Sequence, residues 1–102
     1  MNPLDAFRRK CKIGKKIARN RFLAQPCEHN HANIDGGFSE PLFDFYRRIK
    51  AGNWGVVVME TTAISPWEKC RENQLVLADN KTNEESWKIF FNEMKKKPSN
   101  RE

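Results

Sequence analysis

The chain is 102 residues long, enough for one modest domain or a piece of one, because short chains bury a smaller share of their surface than long ones. Its residues are 38% hydrophobic and 31% charged, and the absence of a long apolar run excludes a membrane-spanning helix. The 19 Lys and Arg exceed the 13 Asp and Glu, which gives a net charge of +6. The basic residues cluster at the two ends, where like charges ordinarily form a solvated surface, so nucleic acid is not the favoured partner.

Cysteine usage favours a cytoplasmic protein with reduced thiols. Cys11, Cys27 and Cys70 are an odd number at wide spacing, and no secretory signal precedes them. Cys27 is followed by His29 and His31, but three candidates at alternate positions, without a second Cys or His pair, do not make a zinc site. We therefore predict no metal centre.

The N-terminal segment allows two interpretations. From Phe7 to Arg19 basic residues dominate, and Ile13 and Ile17 lie four residues apart, which favours a basic helix. Gly14 weakens a helix, and a short pair of strands that turns at Gly14 and Lys15 explains the same pattern. Local periodicity does not choose between the helix and the hairpin.

A buried strand, a polar loop and a helix are predicted next. Residues 22–24 are an apolar run that stops at Pro26, which indicates a strand that opens into a loop. Ser39 can cap the following helix and Gly52 can end it. An apolar band at helical spacing is formed by Leu42, Phe43, Phe45, Tyr46 and Ile49.

The second half of the chain repeats this order. Residues 56–59 are continuously apolar, which indicates a strand covered on both faces, as in a parallel sheet. A long loop from Glu60 includes the small apolar group 75–77, and a second helix then begins at Thr82, with Glu85 completing a capping box. The apolar face of that helix is interpreted as core and is formed by Trp87, Phe90, Phe91 and Met94.

The predicted order is strand, helix, strand, helix, with the long loops after the strands. This βαβα order is typical of an α/β fold with parallel strands. Functional sites in such folds lie at the carboxyl ends of the strands. Residues 25–33 and 60–66 are therefore the candidate functional loops.

Four segments carry a family resemblance. Residues 20–28 are Asn-Arg-Phe-Leu-Ala-Gln-Pro-Cys-Glu, residues 35–40 are Asp-Gly-Gly-Phe-Ser-Glu, and residues 52–63 are Gly-Asn-Trp-Gly-Val-Val-Val-Met-Glu-Thr-Thr-Ala. In this order they resemble the first strand and cofactor loop, the first helix start and the second strand of the Old Yellow Enzyme and 2,4-dienoyl-CoA reductase family. Lys12-Ile13-Gly14 with Asn20-Arg21 resembles the hairpin that closes the bottom of the family's barrel, which favours the hairpin over the basic helix.

The resemblance implies a partial (β/α)8 TIM barrel, with about two of the eight βα units and an N-terminal hairpin. Residues 1–102 are then an N-terminal fragment of an FMN-binding oxidoreductase domain. Residues 1–19 form the bottom hairpin segment, residues 20–94 the βαβα unit and residues 95–102 a polar tail. The expected partners are the remainder of the barrel or other copies of the chain, because two parallel strands leave open edges.

The resemblance also implies the cofactor and the site. Family members pass hydride from NAD(P)H through FMN to an activated carbon–carbon double bond. The residues expected to line the flavin ring by position are Gln25, Pro26, Cys27, Glu28 and Thr61, and Asn30 lies where some relatives contact the substrate. No catalytic residue is expected in this part of the barrel, so the chain alone is expected to be inactive.

Glu28 and the net charge each leave an alternative open. Glu28 lies where many relatives tune the reduction potential of the flavin, and an ionised carboxylate there opposes the negative charge of reduced flavin, whereas a protonated one donates a hydrogen bond. Alternatively, Glu28 pairs with a nearby Lys or Arg. The alternative function is a small basic binding protein that engages nucleic acid or another polyanion through its +6 charge.

Overall fold

The computed structural model describes residues 2–96, and its N-terminal part is a β-hairpin. A short helix, α1 (Asp5–Arg8), precedes the antiparallel strands β1 (Cys11–Ile13) and β2 (Lys16–Ala18). Gly14 has a φ of 58°, a conformation that glycine adopts with little steric cost, and it forms the turn with Lys15. The predicted hairpin is confirmed, and the basic helix is excluded.

A parallel strand pair follows the hairpin. It consists of β3 (Leu23–Ala24) and β4 (Val56–Val57), and the ladder continues where the Val58 N–H donates to the Ala24 carbonyl at 3.0 Å. Helix α2 (Glu40–Ala51) forms the crossover between the two strands. This is the first predicted βαβ unit, with a parallel register that places both carboxyl ends at one edge.

Helix α2 begins and ends where its sequence signals lie. The Ser39 side chain accepts a hydrogen bond from the Leu42 N–H at 3.2 Å, and Pro41 occupies the first turn. At the other end, the Gly52 N–H donates to the carbonyls of Arg48 and Ile49 at 3.2 and 3.0 Å. Both predicted boundaries are confirmed.

The loop after β4 contains a second parallel pair that the sequence analysis missed. Strands β5 (Thr62–Ala63) and β6 (Leu75–Val76) pair across a 3-10 turn at Pro66–Glu68. The assignment of residues 75–77 to a loop is therefore wrong for Leu75 and Val76, both of which are fully buried. A strand of two residues is too short to establish a periodic pattern, which explains the miss.

Helix α3 (Lys81–Lys95) begins before the predicted capping box. Its N-cap is Asn80, whose side-chain oxygen accepts from the Asn83 N–H at 2.9 Å. The predicted capping box of Thr82 and Glu85 is wrong, because the helix already begins at Lys81 and Thr82 lies inside its first turn. Most of the predicted polar tail, from residue 97 onward, lies outside the described residues.

The core lies between α2, α3 and the loop that precedes α2. Phe38 stacks on Phe90 with ring centroids 4.2 Å apart, and Trp87 donates from its ring N–H to the Val76 carbonyl at 2.9 Å. The buried core cluster consists of Ala32, Leu42, Phe43, Tyr46, Leu75, Trp87 and Phe90. Phe91, which was predicted as core, is 44% exposed because it lies at the margin of the face that α3 packs against α2.

The β3–β4 pair is not covered on both faces. Val57 and Val58 are 40% and 38% exposed, so the predicted burial of this strand is wrong for these two residues. Because consecutive strand residues point to opposite faces, each face of the strand stays partly open. The strands of residues 2–96 form three separate two-stranded sheets and do not close a barrel. Neither α2 nor α3, nor any other helix described, has the length and apolarity needed to cross a membrane.

Candidate functional site

The predicted flavin residues lie at the carboxyl ends of parallel strands. Gln25, Pro26 and Cys27 follow β3 directly, and Thr61 lies between the end of β4 and the start of β5. All four residues are exposed. Because β3 and β4 are parallel, the two loops leave the sheet at the same edge, as predicted.

The backbone of residues 25–30 presents N–H groups that have no acceptor within residues 2–96. Pro26 has no N–H, and within residues 2–96 none of the remaining backbone N–H groups of this loop donates to a backbone or side-chain acceptor. Backbone donors that are not paired within the protein must bind water or a ligand. Within residues 2–96, the loop therefore has backbone N–H groups available to a polar ligand such as the flavin that the resemblance implies.

The space behind this loop is too small for a ring. A cavity of about 20 Å³ lies between the loop and α2, lined by Gln25, Cys27, His29 and Tyr46 among others. This volume holds about one water molecule. A ligand of flavin size therefore does not fit in this cavity.

Glu28 forms an ion pair with Arg71, which belongs to the segment between β5 and β6. The Arg71 Nε donates to the Glu28 Oε1, and the two side chains are 61% and 20% exposed, respectively. Of the two interpretations of Glu28, the structure thus shows the ion pair. The sequence predicts a basic partner for Glu28 but carries no signal that selects Arg71, which is 43 positions away.

The Asn30 side chain contacts the same segment. Asn30 has a φ of 57°, and its Oδ1 accepts from the Asn73 N–H at 3.0 Å. Asn73 also exchanges hydrogen bonds with Ala32, donating from its side chain at 2.7 Å and accepting at its carbonyl at 2.9 Å. The Asn30 side-chain oxygen is therefore already bonded to the backbone of Asn73. The role of Asn30 toward a substrate stays a prediction.

Gln74 connects the second loop to this segment. It is 2% exposed, its Oε1 accepts from the Cys70 N–H at 2.7 Å, and its Nε2 donates to the Thr61 carbonyl at 3.4 Å. Segment 69–74 therefore contacts both candidate loops. Gln74 was not predicted, because a single polar residue in a loop carries no signal of burial.

A buried pair, Tyr46 and Glu60, lies beneath the site. The Tyr46 hydroxyl donates to the Glu60 Oε1 at 2.9 Å, and Glu60 is 2% exposed. Burial, and then the charge of Glu60, raise the pKa of the Tyr46 hydroxyl well above its ordinary value. The second carboxylate oxygen, Oε2, has no hydrogen-bond partner among the described residues.

A larger groove of about 630 Å³ lies near the start of α2. It is lined by residues from the loop and the helix, including His29, His31, Asp44 and Arg48. The His29 ring packs on Phe45 with centroids 4.0 Å apart. None of the predicted flavin-lining residues contributes to this groove, although His29 of loop 25–30 lines it.

The chain is similar to known proteins over part of its sequence and most of its fold. No family model matches the sequence. The NADH oxidase of Thermoanaerobacter brockii is 35% identical over 71 residues, which are 69% of this chain and 11% of the relative. The comparisons support an NADH:flavin oxidoreductase-like family, over part of the chain.

Solved structures of Old Yellow Enzymes share the fold. The enzyme from Pichia sp. AKU4542 superposes with a TM-score of 0.76 and 21% identity, over 87% of this chain and 23% of that one. The enzyme from Trypanosoma cruzi gives a TM-score of 0.75 and 18% identity, over 89% and 24% of the two chains. Most of the chain therefore has the α/β fold of a part of these Old Yellow Enzyme barrels. It spans about a quarter of their length.

Proposed function

We propose that this chain forms one wall of the flavin site of an FMN-dependent oxidoreductase. The observation that carries the proposal is the exposed loop 25–30, whose backbone donors have no acceptor among residues 2–96. The loop lies at the carboxyl edge of a parallel strand pair, where α/β folds place their ligands. Kinship with an NADH oxidase supports a nicotinamide as the reductant.

Each predicted residue has a role in this proposal. When bound, FMN supplies hydride transfer between NAD(P)H and an activated carbon–carbon double bond. The loop from Gln25 to Glu28 binds the ring edge through backbone groups, and Pro26 holds the loop extended. Thr61 contacts the ring from the second loop, and Asn30 marks the side on which the substrate enters.

The proposal also requires a partner that supplies the rest of the site. Such a partner is the remainder of the barrel, in the same or another polypeptide, or other copies of this chain. The exposed Val57 and Val58, beside strands with unpaired edges, support this requirement. The chain alone is proposed to bind the ring weakly and to be inactive.

A comparison of riboflavin with FMN tests whether this chain binds the flavin ring without the rest of the barrel. Riboflavin and FMN share the isoalloxazine ring, and only FMN carries a phosphate. We expect the purified chain to bind both weakly and with equal affinity, measured by fluorescence titration. Thr61→Trp, which obstructs the proposed ring face, should abolish binding, whereas Thr82→Trp, at an exposed threonine of α3, should leave it unchanged. Binding that is equal in both variants would contradict the proposal.

The second candidate function is polyanion binding by the hairpin region. Arg9, Lys10, Lys12, Lys15 and Lys16 form no ion pair with any residue in the range 2–96, which leaves their charges available. In that case FMN should bind more tightly than riboflavin because of its phosphate. Affinity for nucleic acid should also fall linearly with the logarithm of the salt concentration.

A further inference from the structure

The ion pair between Glu28 and Arg71 lies at the end of the proposed flavin loop. Glu28 follows Cys27 directly, and its side chain is four-fifths buried against the segment that carries Arg71. Guanidinium groups keep their charge at any pH at which a protein is folded. Two charges of opposite sign in contact cancel much of each other's field at a distance.

The position of Arg71 is fixed by its neighbours. On one side, the Lys69 Nζ donates to the Ile34 carbonyl at 2.7 Å. On the other side, Asn73 is bonded to Asn30 and, through two hydrogen bonds, to Ala32. Arg71 is therefore held against the candidate loop by bonds on both sides along the chain. Within residues 2–96, Glu28 is also less exposed than the acidic partner in every other ion pair, although Arg71 itself is 61% exposed.

We propose that Arg71 is a positioning residue that neutralises Glu28 beside the flavin and thereby favours the reduced ring. The inference rests on the proposed function, since Glu28 acts on the flavin only if loop 25–28 binds it. Reduced flavin carries negative charge, and an uncompensated carboxylate beside it would oppose that charge. With Arg71 in place, the pair is neutral as a whole, and Glu28 can hold the loop without this electrostatic cost.

The test is the ratio of the dissociation constants for reduced and oxidised riboflavin, measured anaerobically for a set of variants. Arg71→Met should raise the ratio by about threefold, because Glu28 then repels the reduced ring. Glu28→Gln should lower it by a similar factor, because Arg71 is then unpaired. The double variant should return close to the wild-type ratio. For a two-electron couple, a tenfold change of this ratio equals about 30 mV.

Two controls separate charge from structure. Arg71→Lys keeps the charge and should give the wild-type ratio, whereas a purely structural role would make it resemble Arg71→Met. Arg8→Met removes the same charge from an exposed pair with Asp5 at 3.5 Å, remote in sequence from the loop, and should change nothing. If Arg71→Met does not fold, Glu28→Gln still tests the sign of the effect, and an Arg71→Lys ratio that departs from the wild type would contradict a role of the charge.

The outcomes distinguish the two proposals. A wild-type chain that binds no flavin would overturn both the wall and the role of Arg71. Binding with the same ratio in the wild type, Arg71→Met and Glu28→Gln would overturn only the role of Arg71. Opposite shifts in the two single variants, cancelled in the double variant, would support it.

Discussion

At the scale of single residues, the structure assigns contacts that no spacing in the sequence reveals. The Tyr46–Glu60 pair joins two residues 14 positions apart, one from the predicted helix and one from the end of the predicted strand. The helical spacing correctly predicted Tyr46 on the apolar face of α2, but it carries no information that the Tyr46 hydroxyl contacts a buried carboxylate. The same limit applies to Arg71 and Gln74, whose partners come from other loops.

Because of the Tyr46 hydroxyl, the stability of the folded chain should depend on pH in the alkaline range. The pKa of Tyr46 is raised in the folded state, so folding favours the protonated phenol, and stability is lost as the pH rises above the unfolded value of about 10. Tyr46→Phe should remove this dependence and cost about 1–3 kcal/mol at neutral pH, because Glu60 loses its donor. Thermal unfolding against pH measures both effects. Because Tyr46 is the only tyrosine, phenolate absorbance should show its titration shifted upward, and an ordinary titration would contradict the assignment.

Gly36 is required by both its conformation and its surroundings. It has a φ of +86°, and a Cβ at this position would overlap the side chain of Val76 and lie 3.1 Å from its backbone nitrogen. Gly36→Ala should therefore cost more stability than the about 1–2 kcal/mol expected for the left-handed conformation alone. Gly14→Ala is the matched control, since its φ is +58° with no atom within 4 Å. Equal losses on denaturant unfolding would show that the overlap with Val76 is relieved at little cost.

At the scale of elements, the long periodic segments were predictable and the short ones were not. Helix α2 lies between Ser39 and Gly52 as predicted, because its cap, its apolar band and its terminal glycine agree. Strands β5 and β6 are two residues each and are defined by their pairing, which only the fold establishes. The start of α3 was misplaced because two side chains of capping type, Asn80 and Thr82, lie within one turn.

The N-cap of α3 gives a direct comparison between the sequence signal and the structure. Asn80→Ala should destabilise the chain by about 1 kcal/mol, because the Asn83 N–H then loses its acceptor. Thr82→Ala lies inside the helix, where alanine is the better helix former, and should be neutral or slightly stabilising. The free energies of unfolding of both variants measure this. The reverse order would favour the capping box of Thr82 and Glu85.

At the scale of the whole molecule, the candidate loops were predictable from the βαβα order, and the resemblance supplied the residues expected to line the flavin, but the rest of the site was not predictable. Parallel pairing of β3 and β4 brings the predicted loops to one edge, as the βαβα order implied. The exposure of Val57 and Val58 contradicts the predicted burial of that strand. Within residues 2–96 the β3–β4 sheet has no further strand on either side. The periodicity of the sequence does not indicate how many strands flank a given strand.

The open sheet should make the isolated chain self-associate. Exposed apolar strand residues beside unpaired backbone groups favour association. Val57→Lys should therefore shift the population toward monomer in sedimentation velocity. Ile89→Lys is the control, because Ile89 is 61% exposed but lies on α3, away from the strand edges. A monomeric wild type, or equal effects of the two substitutions, would contradict this account.

The most direct test of the central claim is to map the amide resonances of the chain during titration with riboflavin. If loop 25–30 and Thr61 form the flavin wall, the amide signals of Gln25, Cys27, Glu28 and Thr61 should shift together with one weak affinity. The amides of the basic hairpin should stay unchanged with riboflavin and with FMN. Shifts confined to the hairpin and seen only with FMN, or no shifts near the solubility limit of riboflavin, would contradict the account.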